Sequence, residues 1–282
     1  TSIQMESYQK IAEWRLRLLS MILVTQKKLD LKRFVRYLVW TIIILAILWW
    51  SALGTNLNFG MLRGGLQGVA DIVGRMVPPD FSILERLVKP TIETIQISIW
   101  GTILAILLSI PFGVLAARNL SPHPVVCQIS RIILNAIRAI PDMLFALIFV
   151  AAVGLGPLPG VLGIGVSSSG MLGKFLADFI ENIDKGPLDA LKATGAKKMQ
   201  IISYAVVPQI IPEFVTLALF RWEMNFRAST VIGIVGAGGL GFELMTSMRL
   251  FQYKETATIL IVILIVVTIV DFISTTIRKR II

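Results

Sequence analysis

The chain has 282 residues, of which 55 % are hydrophobic and 16 % charged, with a mean hydropathy of +0.79 and a formal net charge of +10. Such a composition excludes an ordinary water-soluble domain, because too little polar surface remains to cover so apolar an interior. One cysteine, Cys127, and one histidine, His123, exclude a disulfide framework and supply too few soft ligands for a structural zinc or a Cys–His catalytic pair.

Residues 1–33 read as a cytoplasmic amphipathic helix, with Ile11, Trp14, Leu18, Leu19 and Ile22 as its apolar stripe and basic residues beside it. The first apolar core begins near Phe34 without a small-residue cleavage site, so a cleaved leader is not expected. A helix needs about 20 mainly apolar residues to cross a bilayer. Six stretches approach that length: 34–53, 91–117, 125–153, 158–180, 206–226 and 256–277. The fourth is diluted by Gly160, Gly163, Gly165, Ser167, Ser168, Ser169, Gly170 and Gly173, small residues that suit an interior helix in close contact with neighbours. Between the first two spans, 57–77 reads as a surface helix ending at Pro78-Pro79, within a segment 54–89 outside the membrane.

The excess charge follows topology. Lys10, Arg15, Arg17, Lys27, Lys28, Lys32, Arg33 and Arg36 precede the first span, and Arg278, Lys279 and Arg280 follow the last as a basic tail, 278–282. The positive-inside rule then places both termini in the cytoplasm, which requires an even number of spans. It also makes the 118–124 turn and the 181–205 block cytoplasmic and puts 228–255 outside, although Arg63, Arg75, Arg86 and Lys89 oppose the bias on the outer side. A basic chain of this pattern points to a bilayer and not to nucleic acid.

Within the cytoplasmic block, 186–198 reads as a short capped helix. Pro187 suits its first turn, Asp189 favours the positive N-terminal end, Ala190 and Lys192 continue it, and Gly195 suits a left-handed exit. A minimal loop would join the two spans, so a polar helix here reads as a handle for a partner; the plainer alternative is a polar loop. Gly236, Gly238, Gly239 and Gly241 satisfy Gly-x-Gly-x-x-Gly after a strand-like apolar run, Val231 to Val235. A dinucleotide site needs a βαβ unit and an acidic residue about 20 positions on, and here that interval runs into apolar 259–270. The glycines are expected instead to allow tight turns at a pore mouth. No Gly-x-x-x-x-Gly-Lys-Ser/Thr phosphate loop occurs, so ATP chemistry belongs to another chain.

Charge inside hydrocarbon is costly and faces a cavity or a partner. Arg131, Arg138, Arg221, Glu223 and Arg227 qualify, with Glu93 and Glu213 nearer the span ends. Arg138 precedes Pro141 and stands four residues before Asp142, so it serves either a pathway or an i,i+4 pair; Arg221 has the same two readings, with Glu223 or another helix as partner. Arg131 and Arg138, seven residues apart, are expected to look into one lumen, and Arg227 with Ser229 and Thr230 precedes the glycine run at an outer gate.

Asp189-Ala-Leu, three residues, Gly195, nine residues and Ala205-Val-Val-Pro208 resemble the signature of ABC importer permeases, Asp189 standing where that family usually has Glu and Leu191 replacing an Ala. Pro90-Thr-Ile-Glu-Thr-Ile-Gln-Ile-Ser-Ile-Trp-Gly101, Ile110-Pro-Phe-Gly-Val-Leu-Ala-Ala-Arg-Asn-Leu-Ser-Pro122, Arg138-Ala-Ile-Pro141 and Val235-Gly-Ala-Gly-Gly-Leu-Gly241 are similar to the phosphonate-type subfamily, from about Pro78 onward. The resemblance implies an all-α integral membrane protein of six helices: a type I permease core of five, within 90–277, preceded by one N-terminal helix, 34–53. It implies a bacterial cytoplasmic-membrane importer of phosphonate or phosphite, not itself an enzyme and without a cofactor of its own. The implied partners are a second copy of the chain, two ATP-binding subunits that hold ATP and Mg, and an extracytoplasmic phosphonate- or phosphite-binding protein. Pro187, Asp189, Ala190, Lys192, Gly195 and Pro208 would then couple to the ATPase. The rival readings are an ion-coupled secondary transporter or anion channel, which favours repeated halves and a midplane ion site, and a membrane enzyme, which needs a nucleophile with its base; neither feature is found in the sequence.

Overall fold

The computed structural model describes residues 31–55 and 59–281, so the amphipathic stretch expected over 1–33 lies almost wholly outside them. Every element among the described residues is helical. The chain divides into two units, 1–69 and 70–282.

The first unit contains α1 (Leu31–Gly54) and most of α2 (Phe59–Met76). At about 1.5 Å per residue, the 24 residues of α1 exceed the thickness of a bilayer core. In α2, Leu66, Val69, Ile72, Val73 and Met76 recur at helical spacing opposite Gln67, Asp71 and Arg75, and Arg75 pairs with Asp71 at 2.9 Å. The helix stops before Val77-Pro78-Pro79, because a residue ahead of proline avoids the helical region.

The second unit is a bundle of α3 (Leu84–Ala116), α4 (Pro124–Ala139), α5 (Asp142–Val153), α6 (Pro157–Glu181), α7 (Lys185–Ala193), α8 (Lys198–Ile201), α9 (Val207–Ile232), α10 (Gly239–Arg249) and α11 (Tyr253–Ile281). Asp80 starts it by accepting from the Ser82 amide at 2.9 Å; the Ser82 hydroxyl first, and this amide second, hold its carboxyl below its ordinary value. The small residues of α6 do what the sequence predicts: 67 % of its most apolar stretch is buried, against 33 % for α3 and 22 % for α11. A Cβ on Gly101 of α3 would stand 2.7 Å from Ile164, and one on Gly163 of α6 would stand 2.9 Å from the Ala146 backbone of α5. One on Gly170 would stand 3.0 Å from the Leu134 carbonyl oxygen of α4, so three neighbours approach α6 closely enough for backbone-level contact.

Contacts also set the helix directions. Ile97, Gly101 and Gly113 of α3 meet Gly160, Ile164 and Leu176 of α6 in rising order, so these two helices run parallel. Along α6 in the same direction, Gly163, Gly170 and Gly173 meet Ala146, Ile137 and Leu134 in falling order, so the chain through α4 and α5 taken together returns the other way. Three buried clusters succeed one another along the bundle: Leu134, Leu176, Ile180 and Val206 near the α7 end; Ile97, Ala146, Ile164 and Ile232 in the middle; Leu87, Leu240 and Ile259 at the far end.

Four expectations need correction. The stretch 125–153 is not one straight span: α4 and α5 meet at 88° across Ile140-Pro141. Pro141 cannot donate to the helix, and Ile140 before it adopts φ −94°, ψ 124°. The fifth span is longer than 206–226: helical backbone runs from Met199 through a π-helical turn at Ile202–Val206 as far as Val235, where Gly236 at φ +99° breaks it. The run Val231 to Val235 is thus helical, not strand-like: Ile232 and Val235 pack into the middle cluster while Val231 and Ile234 are exposed. The tail beginning at 278 is the end of α11, which remains helical to Ile281.

Candidate functional site

At one end of the bundle α7 stands between α6 and α8 as the capped helix the sequence predicts, starting one residue before 186 and ending at Ala193 instead of 198, because Gly195 turns the chain out. Asp184 is the N-cap, its carboxylate accepting from the Gly186 amide at 3.0 Å. The helix begins two residues before Pro187, which leaves Asp189 in its second turn, paired at 2.9 Å with Lys192. That pair is exposed and adds little stability. Gly195 has φ +76°, and the Gly195 and Ala196 amides donate to the Lys192 and Leu191 carbonyls at 3.0 and 3.3 Å, a Schellman exit. Pro187, Asp189, Ala190, Lys192, Gly195 and, across α8, Pro208 are all exposed, while Leu188 packs on the buried cluster below.

The block rests on a clamp that sequence reasoning missed. Glu181, at the end of α6, accepts from the Arg118 amide at 2.6 Å and from the Arg131 guanidinium at 2.5 Å. Arg131 also donates to the Ala116 carbonyl at 2.9 Å, and Asn119 donates to the Ile180 carbonyl at 2.6 Å. The 117–123 turn and the root of α7 are thereby locked together, and a cavity of about 640 Å³ opens between them. Arg131 is thus engaged by Glu181 and the Ala116 carbonyl. Arg138 is exposed and has no ion-pair partner among the described residues; in particular it does not pair with Asp142, because the bend at Pro141 breaks the i,i+4 register.

In the middle of the bundle the polar residues of four helices converge. Arg221 of α9 donates through Nε to Ser168 Oγ of α6 at 2.9 Å, and its Nη2 stands 3.5 Å from Asp142 Oδ2 at the start of α5. Asp142 also accepts from Ser167 Oγ. Ser168 donates to Asn225 at 2.8 Å, and Asn225 donates to Thr102 of α3 at 2.9 Å. Asn225 and Ser168 are fully buried, whereas Asp142 keeps 36 % of its side-chain surface exposed, so the cluster opens at the α4–α5 break. Arg221 thus takes a partner from another helix and not Glu223.

Glu223 belongs to a second network, in which it binds Arg227 at 2.7 Å and Arg278 of α11 at 3.1 Å, while Arg227 also meets Asp271 at 2.9 Å. This network ties α9 to α11 and leaves Arg227 held between two carboxylates. Ser229 and Thr230 donate to carbonyls of their own helix, at Phe226 and Arg227.

The glycine run is not an external loop. Gly236, Gly238 and Gly239 have φ of +99°, +78° and +70°, and this reversal lays α10 back along the first turns of α3. Glu93 accepts from the Gly239 amide at 2.9 Å, Thr94 from the Leu240 amide at 2.8 Å, and Arg86 bridges Glu243 and Glu255 at 3.2 and 3.1 Å. Thr94 lies ten residues into α3, so the turn sits about 15 Å from the start of that helix. Gly236, Gly239 and Gly241 are buried, because α10 must fold against α3 to cover Leu240.

This arrangement is that of a type I ABC importer permease. A solved structure of the MetNI methionine ABC transporter in inward-facing conformations aligns with 72 % of this chain and 99 % of its own, with a TM-score of 0.61 at 20 % identity. Residues 109–282 match the family of binding-protein-dependent transport system inner membrane components, and the chain belongs to that family. It is 48 % identical to the phosphite transport system permease protein PtxC of Stutzerimonas stutzeri, over 84 % of this chain and 86 % of that protein. It is 39 % identical to the phosphate-import permease protein PhnE of Mycolicibacterium smegmatis, over 77 % of this chain but 41 % of that longer protein. The chain is a multi-pass permease subunit of a bacterial transport system.

Proposed function

We propose that this permease imports a small phosphorus oxyanion, phosphite or a phosphonate first, with ATP hydrolysed on a separate subunit. The observation that carries the reading is the 48 % identity to a phosphite permease over most of both chains. A guanidinium in the middle of the bundle, bonded through Nε to the Ser168 hydroxyl, supports an anionic substrate. Phosphate is the second candidate, favoured by the likeness to a phosphate-import permease.

The exposed face of α7 suits docking of an ATP-binding subunit, with Pro187, Asp189, Ala190, Lys192, Gly195 and Pro208 at the contact. The working unit is two copies of the chain, two such subunits holding ATP and Mg, and an extracytoplasmic binding protein; the chain itself needs no cofactor. Basic residues at both chain ends support cytoplasmic termini in the bacterial inner membrane. Arg138 and Arg221 are the first residues proposed to meet the anion. Pro141 shapes the break between them, Arg131 and Arg227 serve as anchors, and the glycines 236, 238, 239 and 241 with Ser229 and Thr230 form the gate-side turn. The test is ATPase activity of the complete complex in nanodiscs with its binding protein. Stimulation by phosphite or methylphosphonate is expected; stimulation by neither, nor by phosphate, removes the reading.

A further inference from the structure

Arg221 is incompletely partnered for a guanidinium so deep in a bundle. Its Nε has an oxygen at 2.9 Å, but Nη2 reaches Asp142 only at 3.5 Å and Nη1 faces the Met171 thioether at 3.6 Å. Beyond 3.2 Å an N–H···O contact is weak, and a thioether is a poor acceptor. The two terminal nitrogens, the prongs that bind two oxygens of a tetrahedral anion, thus hold donors in reserve. The carboxylate nearest them is anchored elsewhere, on Ser167. Asp142 is also the more exposed partner, 36 % against 13 %, and begins α5 directly after the break at Pro141. An anion arriving at the break meets Asp142 before it meets Arg221.

We propose that Asp142 and Arg221 form an exchangeable ion pair. Between transport events Asp142 neutralises Arg221; a phosphorus oxyanion displaces it, takes the two terminal nitrogens, and is expelled when Asp142 returns. This rests on the proposed oxyanion import and assigns Asp142 a role in release. Without the carboxylate the cluster carries an uncompensated positive charge and should hold the anion too long. Without Arg221 it should not hold the anion at all.

The experiment uses the complete complex in proteoliposomes, with phosphite as probe and two readouts: uptake with binding protein present, and retention of labelled phosphite by the detergent-solubilised complex without it. Asp142→Asn is expected to raise retention at least tenfold and to lower uptake at least tenfold. Arg221→Gln is expected to lose both, and Arg221→Lys, which keeps the charge but not the fork, to fall between. The double variant Asp142→Asn/Arg221→Gln should assemble with the ATPase yet transport nothing. Recovery of uptake in the double variant would show a purely structural pair and overturn the exchange, as would wild-type uptake and retention in Asp142→Asn. If Asp142→Asn does not assemble, Ser167→Ala serves instead: freeing the carboxylate to close on Arg221 should lower retention about threefold, and unchanged retention overturns the proposal. A wild-type complex indifferent to phosphite, methylphosphonate and phosphate fails at the earlier step and overturns the importer reading, and the exchange with it. One that transports phosphite while Asp142→Asn matches it refutes the exchange alone.

Discussion

Glu181 holds two donors from different segments, the Arg118 amide and the Arg131 guanidinium, in a setting where its side chain is 24 % exposed. Glu181→Ala leaves both without that acceptor and is expected to cost about 1–3 kcal/mol, read as a lower melting temperature of the purified permease. Adding Arg131→Leu should recover part of the loss, since one of the stranded donors is then gone. Arg138 makes the contrasting case. Its exposed side chain has no ion-pair partner among the described residues, so Arg138→Gln should change stability by less than about 0.5 kcal/mol. If it contacts the anion, phosphite uptake should still fall; unchanged uptake would remove it from the pathway. The residue types in these sites were legible in the sequence, because arginine in an apolar span stands out. Their partners were not: Glu181 lies 50 positions from Arg131, and Ser168 lies 53 from Arg221. Only the folded bundle brings such pairs together.

At the scale of the element, two glycines differ in the reason they are needed. A Cβ at Gly195 would meet nothing within 4 Å, so only its φ of +76° excludes other residues. Gly195→Val should therefore strain the exit of α7 by about 1–2 kcal/mol and weaken co-purification of the ATP-binding subunit, whereas Gly195→Asn should be tolerated. Full ATPase retention and normal uptake in Gly195→Val would remove the docking role. At Gly241 a Cβ would run into the Thr230 carbonyl oxygen. Gly241→Ala must push α10 off α9, and is expected to lower the yield of folded protein sharply. Hydropathy located the spans, and Pro187 with Gly195 marked the short helix. It did not reveal α10, since a partly buried helix folded back along α3 and a loop have similar local composition. The start expected at 186 lies one residue from the observed Lys185, but the cap itself, Asp184, was not foreseen, because it stands outside the block that Pro187 and Gly195 mark.

At the scale of the molecule the open question in the topology is whether the bent pair α4–α5 crosses the membrane. Length and composition allow five spans or six. The contact order decides it: α3 and α6 run parallel, so the chain between them must return across the bundle, and a re-entrant excursion would not bring it back. Pro122 in the α3–α4 turn and Leu155 in the α5–α6 turn then lie on opposite sides, and both are exposed. Single cysteines at these positions, in a Cys127→Ser background that keeps a donor to the Ala116 carbonyl, test it with membrane-impermeant maleimide. Pro122→Cys should label only in inverted vesicles, together with a cysteine at Lys197 beside α7, and Leu155→Cys only in intact cells, together with one at Phe251. Labelling of Pro122→Cys and Leu155→Cys from the same side would make α4–α5 re-entrant and separate the chain ends across the membrane. Because α6 joins the Leu155 turn to α7, that result would also put the docking helix, and with it the basic end of α11 two spans later, on the side opposite the 117–123 turn, although Glu181 at the root of α7 is bonded to the Arg118 amide of that turn.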